Sequence, residues 1–347
     1  MYKDEKKFIP LYLCRFSVSL SMTMLLTFIA IYADIYNASG FWVGMFTTSF
    51  MLAQTLAVIP IGWISDKYDK RMVLFWGLGI LSVSYILFIF VQGVYSLTIA
   101  RAFQGIGVAA GAMTSLALTG ELAPDNKRGK IIGTSNAARL LSHGLGSLAG
   151  GWMVDRWGFT PPYILLFILT IAAGILTYKY VEKDETKISG FTFKSLVQNK
   201  RIQAISFFRT FYSFAVMMVR TYVPIFGRLV LSLSGTQIGV VLASEKIANM
   251  CIQRYTGTLS DRKGRFRMLV VGGVLYALGA FFIPFQKTFL ALVLVNAFMG
   301  VADSIREPAS MALFADEGKG SGIASSFSVR SMIWKPGSII GPMLGGF

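Results

Sequence analysis

Long apolar runs alternate with short polar joints along almost the whole chain. A helix that crosses a bilayer needs ~20 predominantly apolar residues. That rule predicts eleven spans, at 8–33, 41–64, 72–92, 95–121, 130–154, 161–181, 202–228, 236–258, 268–286, 288–315 and 321–347. The joints carry turn signals such as Asn37-Ala38-Ser39-Gly40 and Pro124-Asp125-Asn126. One longer joint, Glu182 to Arg201, is polar and basic. It separates six spans from five, so the expected division is a first bundle at 1–181, a linker at 182–201 and a second bundle at 202–347. Within the linker, the stretch Phe191 to Val197 fits a short interfacial helix and an ordinary loop equally well.

Composition agrees with the spans. Of 347 residues, 54% are hydrophobic and only 14% charged, more apolar surface than a soluble domain hides. The net charge of +16 would suggest nucleic acid in a soluble protein. Here the basic residues sit in alternate joints, around Lys3, Lys67, Lys127, Lys183 and Arg262, while the other joints carry only Arg156, Arg228 and Lys287. The positive-inside rule reads this as topology, with a cytoplasmic N-terminus in a cell membrane protein and no nucleic-acid partner. Cys14 and Cys251 lie inside apolar runs and make no CxxC pair. The first run is too long for a signal-peptide core and is expected to be retained.

The chain repeats itself. Gly62-Trp63-Ile64-Ser65-Asp66 and the basic residues after it recur, at a spacing of 195, as Gly257-Thr258-Leu259-Ser260-Asp261 with Arg262 to Arg267. At the same spacing Arg101 to Gly105 aligns with Asn296 to Gly300, Glu121 with Asp316, and Gly150-Gly151 with Gly345-Gly346. Two six-span units in one orientation predict a transporter with a pseudo-two-fold axis along the membrane normal. Two full copies would run past Phe347, so the end of helix eleven, a loop and helix twelve are expected to be absent from this sequence.

These residues resemble the major facilitator superfamily. Gly62, Asp66, Lys70 and Arg71 fit its loop motif after helix two, with Asp69 where a glycine is usual. Gly257, Asp261, Arg262, Gly264 and Arg265 fit it in the second copy. Arg101, Gln104, Gly105 and Gly107 complete its helix-four motif. Its helix-five motif is incomplete: Ser147 stands where proline is usual, so the antiporter label attached to that motif is not implied. The resemblance implies an all-helical fold of two six-helix bundles, a cavity lined by helices one, four, seven and ten, and no enzyme activity or cofactor. It also implies a gating latch of Asp66, Lys70, Arg71 and Glu121, matched by Asp261, Arg265 and Asp316, with Gly62 and Gly257 where helices approach closely. The alternative is that these charges are solvated loop groups that only set topology.

Charges inside a span cost ~2.5–3.5 kcal/mol each on insertion scales and are functional candidates by default. The deep set is Arg101, Arg139, His143, Arg220, Glu245, Lys246, Asp303, Arg306, Glu307, Arg330 and Lys335. Asp303 and Glu307 share a helix face, with Arg306 between them. Glu245 and Asp303 are the first choices for proton carriers, and a permanent ion-pair brace is the equal alternative. Arg101 reads as a gating residue or as a buried arginine satisfied by Gln104 and carbonyls, and His143 as a titrating group or a helix–helix hydrogen bonder.

Three functions remain open: a proton-linked exporter of amphipathic small molecules, an organic-anion transporter, and a non-transporting sensor, scaffold or inactive fragment. The expected partners are a small-molecule substrate, protons and the lipid bilayer, for a monomer. No nucleophile–base pair, phosphate-binding loop or metal-ligand spacing points to an enzyme, and no cofactor is expected.

Overall fold

The computed structural model describes residues 7–124, 127–182, 200–317 and 323–346. The side chains of Asp66, Arg128, Arg254 and Asp261, and of 200–202, 204, 314–317 and 323–331, lie outside the description. The stretch Phe191 to Val197 lies outside it entirely.

The apolar runs form α1 Ile9–Ile35, α2 Gly40–Lys67, α3 Lys70–Ile89, α4 Val94–Glu121, α5 Arg128–Trp157 and α6 Thr160–Tyr180. They continue as α7 Lys200–Leu229, α8 Gly235–Lys263, α9 Arg265–Phe282, α10 Phe289–Glu317 and α11 Ile323–Leu344. There is no strand among the described residues. Seven helices are long and apolar enough to cross a membrane by length and composition, namely α1 to α4, α6, α9 and α10. The predicted spans at α5, α7 and α8 fall short of that apolar limit. Arg139, His143, Arg220, Glu245 and Lys246 dilute them, and those groups face protein rather than lipid.

Local chemistry sets the helix ends. Ser234 caps α8, accepting the Gln237 amide at 3.3 Å while the Gln237 side chain accepts the Ser234 amide at 2.9 Å. Asp69 caps α3 by accepting the Arg71 amide at 3.0 Å, which explains an aspartate where a glycine was expected. Gly264, at φ 93°, provides the left-handed joint between α8 and α9. Pro308 removes the amide that would bond the Ser304 carbonyl, and the Thr256 hydroxyl of α8 donates to that carbonyl at 2.6 Å instead.

Helices α1 to α6 pack on one another, as do α7 to α11, and the two sets meet chiefly through α5 with α8, α2 with α11 and α1 with α7. Helix α1 is the most enclosed of the seven apolar helices, with 83% of its central window buried. Helix α9 instead shows an outer face of Val270, Val274, Leu278 and Phe281, four residues apart in sequence save one step of three.

The hydrogen bonds between described residues of the two sets lie at mid-depth or toward the end away from the basic joints. Arg228 donates to Asp34 at 2.7 Å. The Gly235 and Thr236 amides donate to Asp155 at 2.8 and 2.7 Å, so a carboxylate on α5 caps α8. Thr48 donates to the Ile339 carbonyl at 2.8 Å, and Lys335 to Gln54 at 2.6 Å. Close backbone approach occurs at this far end. A Cβ on Gly239 would collide with the Ser147 carbonyl, and one on Gly44 with that of Pro342. The expectation that Gly62 and Gly257 mark close approach is corrected. Among the described residues, a Cβ on Gly62 meets nothing within 4 Å, and one on Gly257 only Pro308 at 3.9 Å. Those glycines therefore have no close described neighbour to admit.

The packing gives a direct test. Gly239→Leu should force α5 and α8 apart at the far end. A cysteine replacing Thr48, in a background lacking Cys14 and Cys251, should then be alkylated faster than with Gly239 in place. Equal alkylation rates would contradict the close approach.

Candidate functional site

The deep charges predicted from sequence gather into two networks on the second set of helices. In the first, the Glu245 carboxylate on α8 accepts from Arg220 Nη2 on α7 at 2.9 Å and from Lys246 Nζ at 2.6 Å. The Glu245 side chain is only 6% exposed. A buried carboxylate between two cations avoids the several kcal/mol that an isolated buried charge costs.

The second network is on α10. Arg306 donates to Asp303 at 2.7 and 3.1 Å and to Glu307 at 2.7 Å. Its side chain is 3% exposed, and its guanidinium lies over the Tyr212 ring at 3.9 Å. Tyr212 of α7 donates to Asp303 at 3.0 Å, and Asn249 of α8 at 3.3 Å. Arg209 of α7 is 3.9 Å from Glu307 and stacks on Trp334 of α11 at 5.0 Å. Asp303 thus joins α7, α8 and α10, and all three deep carboxylates have basic partners.

The first set of helices faces this with cations. His143 and Arg139 lie four residues apart on α5, and Arg15 lies on α1. Arg15 donates to the Ala112 carbonyl of α4 at 2.7 Å. Arg101 lies apart from this cluster. It donates to Gln104 at 2.6 Å and to the Phe46 carbonyl at 3.1 Å, and packs over Phe50 at 4.7 Å. Those contacts tie α4 to α2. A Cβ on Gly105 would strike the Phe50 carbonyl, so the helix-four glycine serves the same junction.

The structure divides the loop motif. Lys70 pairs with Glu121 at 3.0 Å. Arg71 turns away, donating to Asp69 at 2.7 Å and to the Val181 carbonyl at 3.0 Å, which fastens α3 to the end of α6. Arg265 donates to the Ala312 carbonyl at 3.4 Å. The side chains of Asp66, Asp261, Asp316 and Arg330 lie outside the described residues. Sequence reasoning missed Tyr212, Trp334 and the Gln54–Lys335 contact. Aromatic residues are so frequent here that neither ring had a distinguishing signal, and Gln54 lies 281 positions from Lys335. It also missed Asp34 and Asp155. The scarcity of charge in the far-end joints was the available signal.

Comparison with known proteins decides the family. The model of the Major Facilitator Superfamily matches residues 11–342. The chain belongs to the Major Facilitator Superfamily. An uncharacterized MFS-type transporter of Methanocaldococcus jannaschii is 28% identical, over 90% of this chain and 83% of that protein. The uncharacterized MFS-type transporter YuxJ of Bacillus subtilis is 27% identical, over 97% and 90%. Multidrug resistance protein MdtG of Salmonella arizonae is 22% identical, over 95% and 85%. Among solved structures, a bacterial homologue of the human lysosomal transporter Spinster, inward-facing and unoccupied, has a TM-score of 0.82 at 14% identity, covering 99% of this chain and 82% of that one. The nucleoside transporter NupG has a TM-score of 0.80 at 14% identity, covering 99% and 90%. These two likenesses concern the fold. As a superfamily member the chain is a multi-pass membrane transporter of a small molecule and not an enzyme.

Within this fold, Glu245→Gln should be costly. Losing the carboxylate leaves Arg220 and Lys246 together in a buried site, which should reduce stability by about 3–5 kcal/mol. Glu245→Gln combined with Arg220→Gln should recover part of that loss. Thermal unfolding of the purified protein in detergent measures both. Additive losses would show that the pair is not energetically coupled.

Proposed function

We propose that this protein is a proton-coupled exporter of amphipathic small molecules, working as a monomer in the cell membrane with its N-terminus in the cytoplasm. The observation that carries the reading is Glu245, a deep carboxylate shared by Arg220 and Lys246 where the two helix sets face each other. Protonating it releases two cations at once. A change in local charge of that kind favours a different packing of the facing helices.

Residues 1–181 and 202–347 act as the two moving bundles, joined by the linker at 182–201. The contacts at Asp34, Gly44, Asp155 and Gly239 hold the far end shut. With the basic joints cytoplasmic, a closed far end belongs to the inward-facing half of the transport cycle. Gly62, Asp66, Lys70, Arg71 and Glu121, with Gly257, Asp261, Arg265 and Asp316, form the gate that closes that end in the opposite state. The Lys70–Glu121 pair supports this role by presetting one side of the gate. Asp303, held by Arg306, Tyr212 and Asn249, is the second proton site. The name of MdtG, a multidrug resistance protein, supports a small organic substrate.

Proteoliposomes given a pH step and loaded separately with ethidium and phenyl phosphate test the reading. Flux of at least one probe should follow the step and be lost in Glu245→Gln and Asp303→Asn. Saturable phenyl phosphate flux indifferent to the pH step would replace proton coupling with organic-anion transport, and pH-indifferent ethidium flux would remove proton coupling alone. No flux of either probe would favour a sensor or scaffold.

A further inference from the structure

At the basic end of the first helix set, the start of α1 and the end of α6 border a groove that the transport reading does not use. It holds about 390 Å³ and is lined by Lys7, Ile9, Pro10, Leu176 and Tyr180. That volume is within the ~300–1,000 Å³ range of small-molecule sites. The two helices are joined beside it, where the Cys14 thiol of α1 lies 3.0 Å from the Thr177 hydroxyl of α6. An apolar strip continues over the outer surface. Ile9 and Leu13 of α1 are 38% and 41% exposed, and Ile175 and Tyr180 of α6 are 52% and 56% exposed. Both helices are long and apolar enough to cross a membrane, so this strip faces acyl chains.

Two cations stand at the groove. Lys7 Nζ is 5.7 Å from the centre of the Phe8 ring, and Lys179 Nζ is 5.3 Å from that of Tyr180. Lysine and tyrosine at the end of a spanning helix sit at headgroup level, the lysine stem along apolar surface and its amine toward water. Glu182 is the acidic residue beside them, 3.7 Å from Lys7 Nζ. The Lys7 and Glu182 side chains are exposed, and an exposed pair of this length holds weakly, so a phosphate can take Lys7 from it. Lys179 has no carboxylate partner among the described residues. Apolar walls that end in two amines match a molecule with both hydrocarbon chains and a phosphate. A free phosphate would use the amines and leave the walls bare.

We propose that this groove binds one anionic phospholipid, its phosphate at Lys7 and Lys179 and its acyl chains along Ile9, Leu13, Leu176 and Tyr180. Glu182 competes with the phosphate for Lys7. The site does not depend on which molecule the protein transports.

Native mass spectrometry of the purified chain in detergent, titrated with dioleoyl phosphatidylglycerol or dioleoyl phosphatidylcholine, counts the lipids retained. Phosphatidylglycerol should fill one tight site saturably, several-fold more strongly than phosphatidylcholine. Lys7→Gln combined with Lys179→Gln should weaken that site about tenfold, the effect of two lysines lost at a lipid surface. Leu176→Trp, which fills the groove and keeps both amines, should weaken it too, and Glu182→Gln should strengthen it. Lys67 is a cation at the same end that lies over Trp63 and Tyr68, outside the groove, and Lys67→Gln should leave binding unchanged. Unfolding midpoints without added lipid show which variants are folded; if the double variant is not, Lys179→Gln alone should show a partial loss. Equal binding of the two lipids, or an equal loss in Lys67→Gln, overturns the site in favour of diffuse attraction. Binding unchanged in the double variant or in Leu176→Trp overturns the groove as its seat. Displacement of the lipid by inorganic phosphate overturns the lipid as its occupant.

Discussion

A carboxylate in the middle of an apolar bundle needs its cations close by, and most of this structure follows from that requirement at Glu245. Water is not available there to solvate the charge, so Arg220 and Lys246 supply the hydrogen bonds. Those partners come from α7 and α8. Helices that carry such groups are less apolar than a bilayer favours. They therefore lie inward, surrounded by α3, α6 and α9, whose surfaces can face lipid. Polarity deep in the sequence thus determines which helices occupy the centre.

The second constraint is backbone proximity at the far end. Gly44 and Gly239 allow α2 to meet α11 and α5 to meet α8, and Asp155 caps α8 from across the contact. These contacts are polar and local to the far end. The permanent contacts lie within each bundle, where Arg101 binds α4 to α2 and Arg306 binds α10 to its neighbours. Joints within each set and a separate group of contacts between the sets suit the proposed carrier whose halves move as bodies.

Much of this was legible in the sequence because lipid imposes a simple rule. Apolar length located the helices, and the repeat of Gly62–Asp66 at Gly257–Asp261 implied two related units. The deep charges were visible as exceptions to the apolar pattern. Their pairing was only partly visible. Asp303, Arg306 and Glu307 are neighbours on one helix and could be joined on paper. Glu245 and Arg220 are 25 positions apart, on different helices, and nothing in spacing links them. The Gly62 reading failed for a related reason. A motif records every state a carrier visits, whereas a structure holds one, and in this one Gly62 has no described neighbour within 4 Å. Asp69 shows the same limit on a smaller scale, since its value as a helix cap depends on backbone geometry.

The central claim is that the two bundles rock about the charged centre, opening one end as the other closes. Pulsed electron–electron resonance on spin-label pairs at both ends measures this most directly. One pair joins position 134 on α5 to 255 on α8 at the basic end, and another joins 35 on α1 to 230 after α7 at the far end. The account expects two distance populations at each end, changing in opposite directions between neutral and acidic pH. A single unchanging distance at both ends, or both ends widening together, would contradict it.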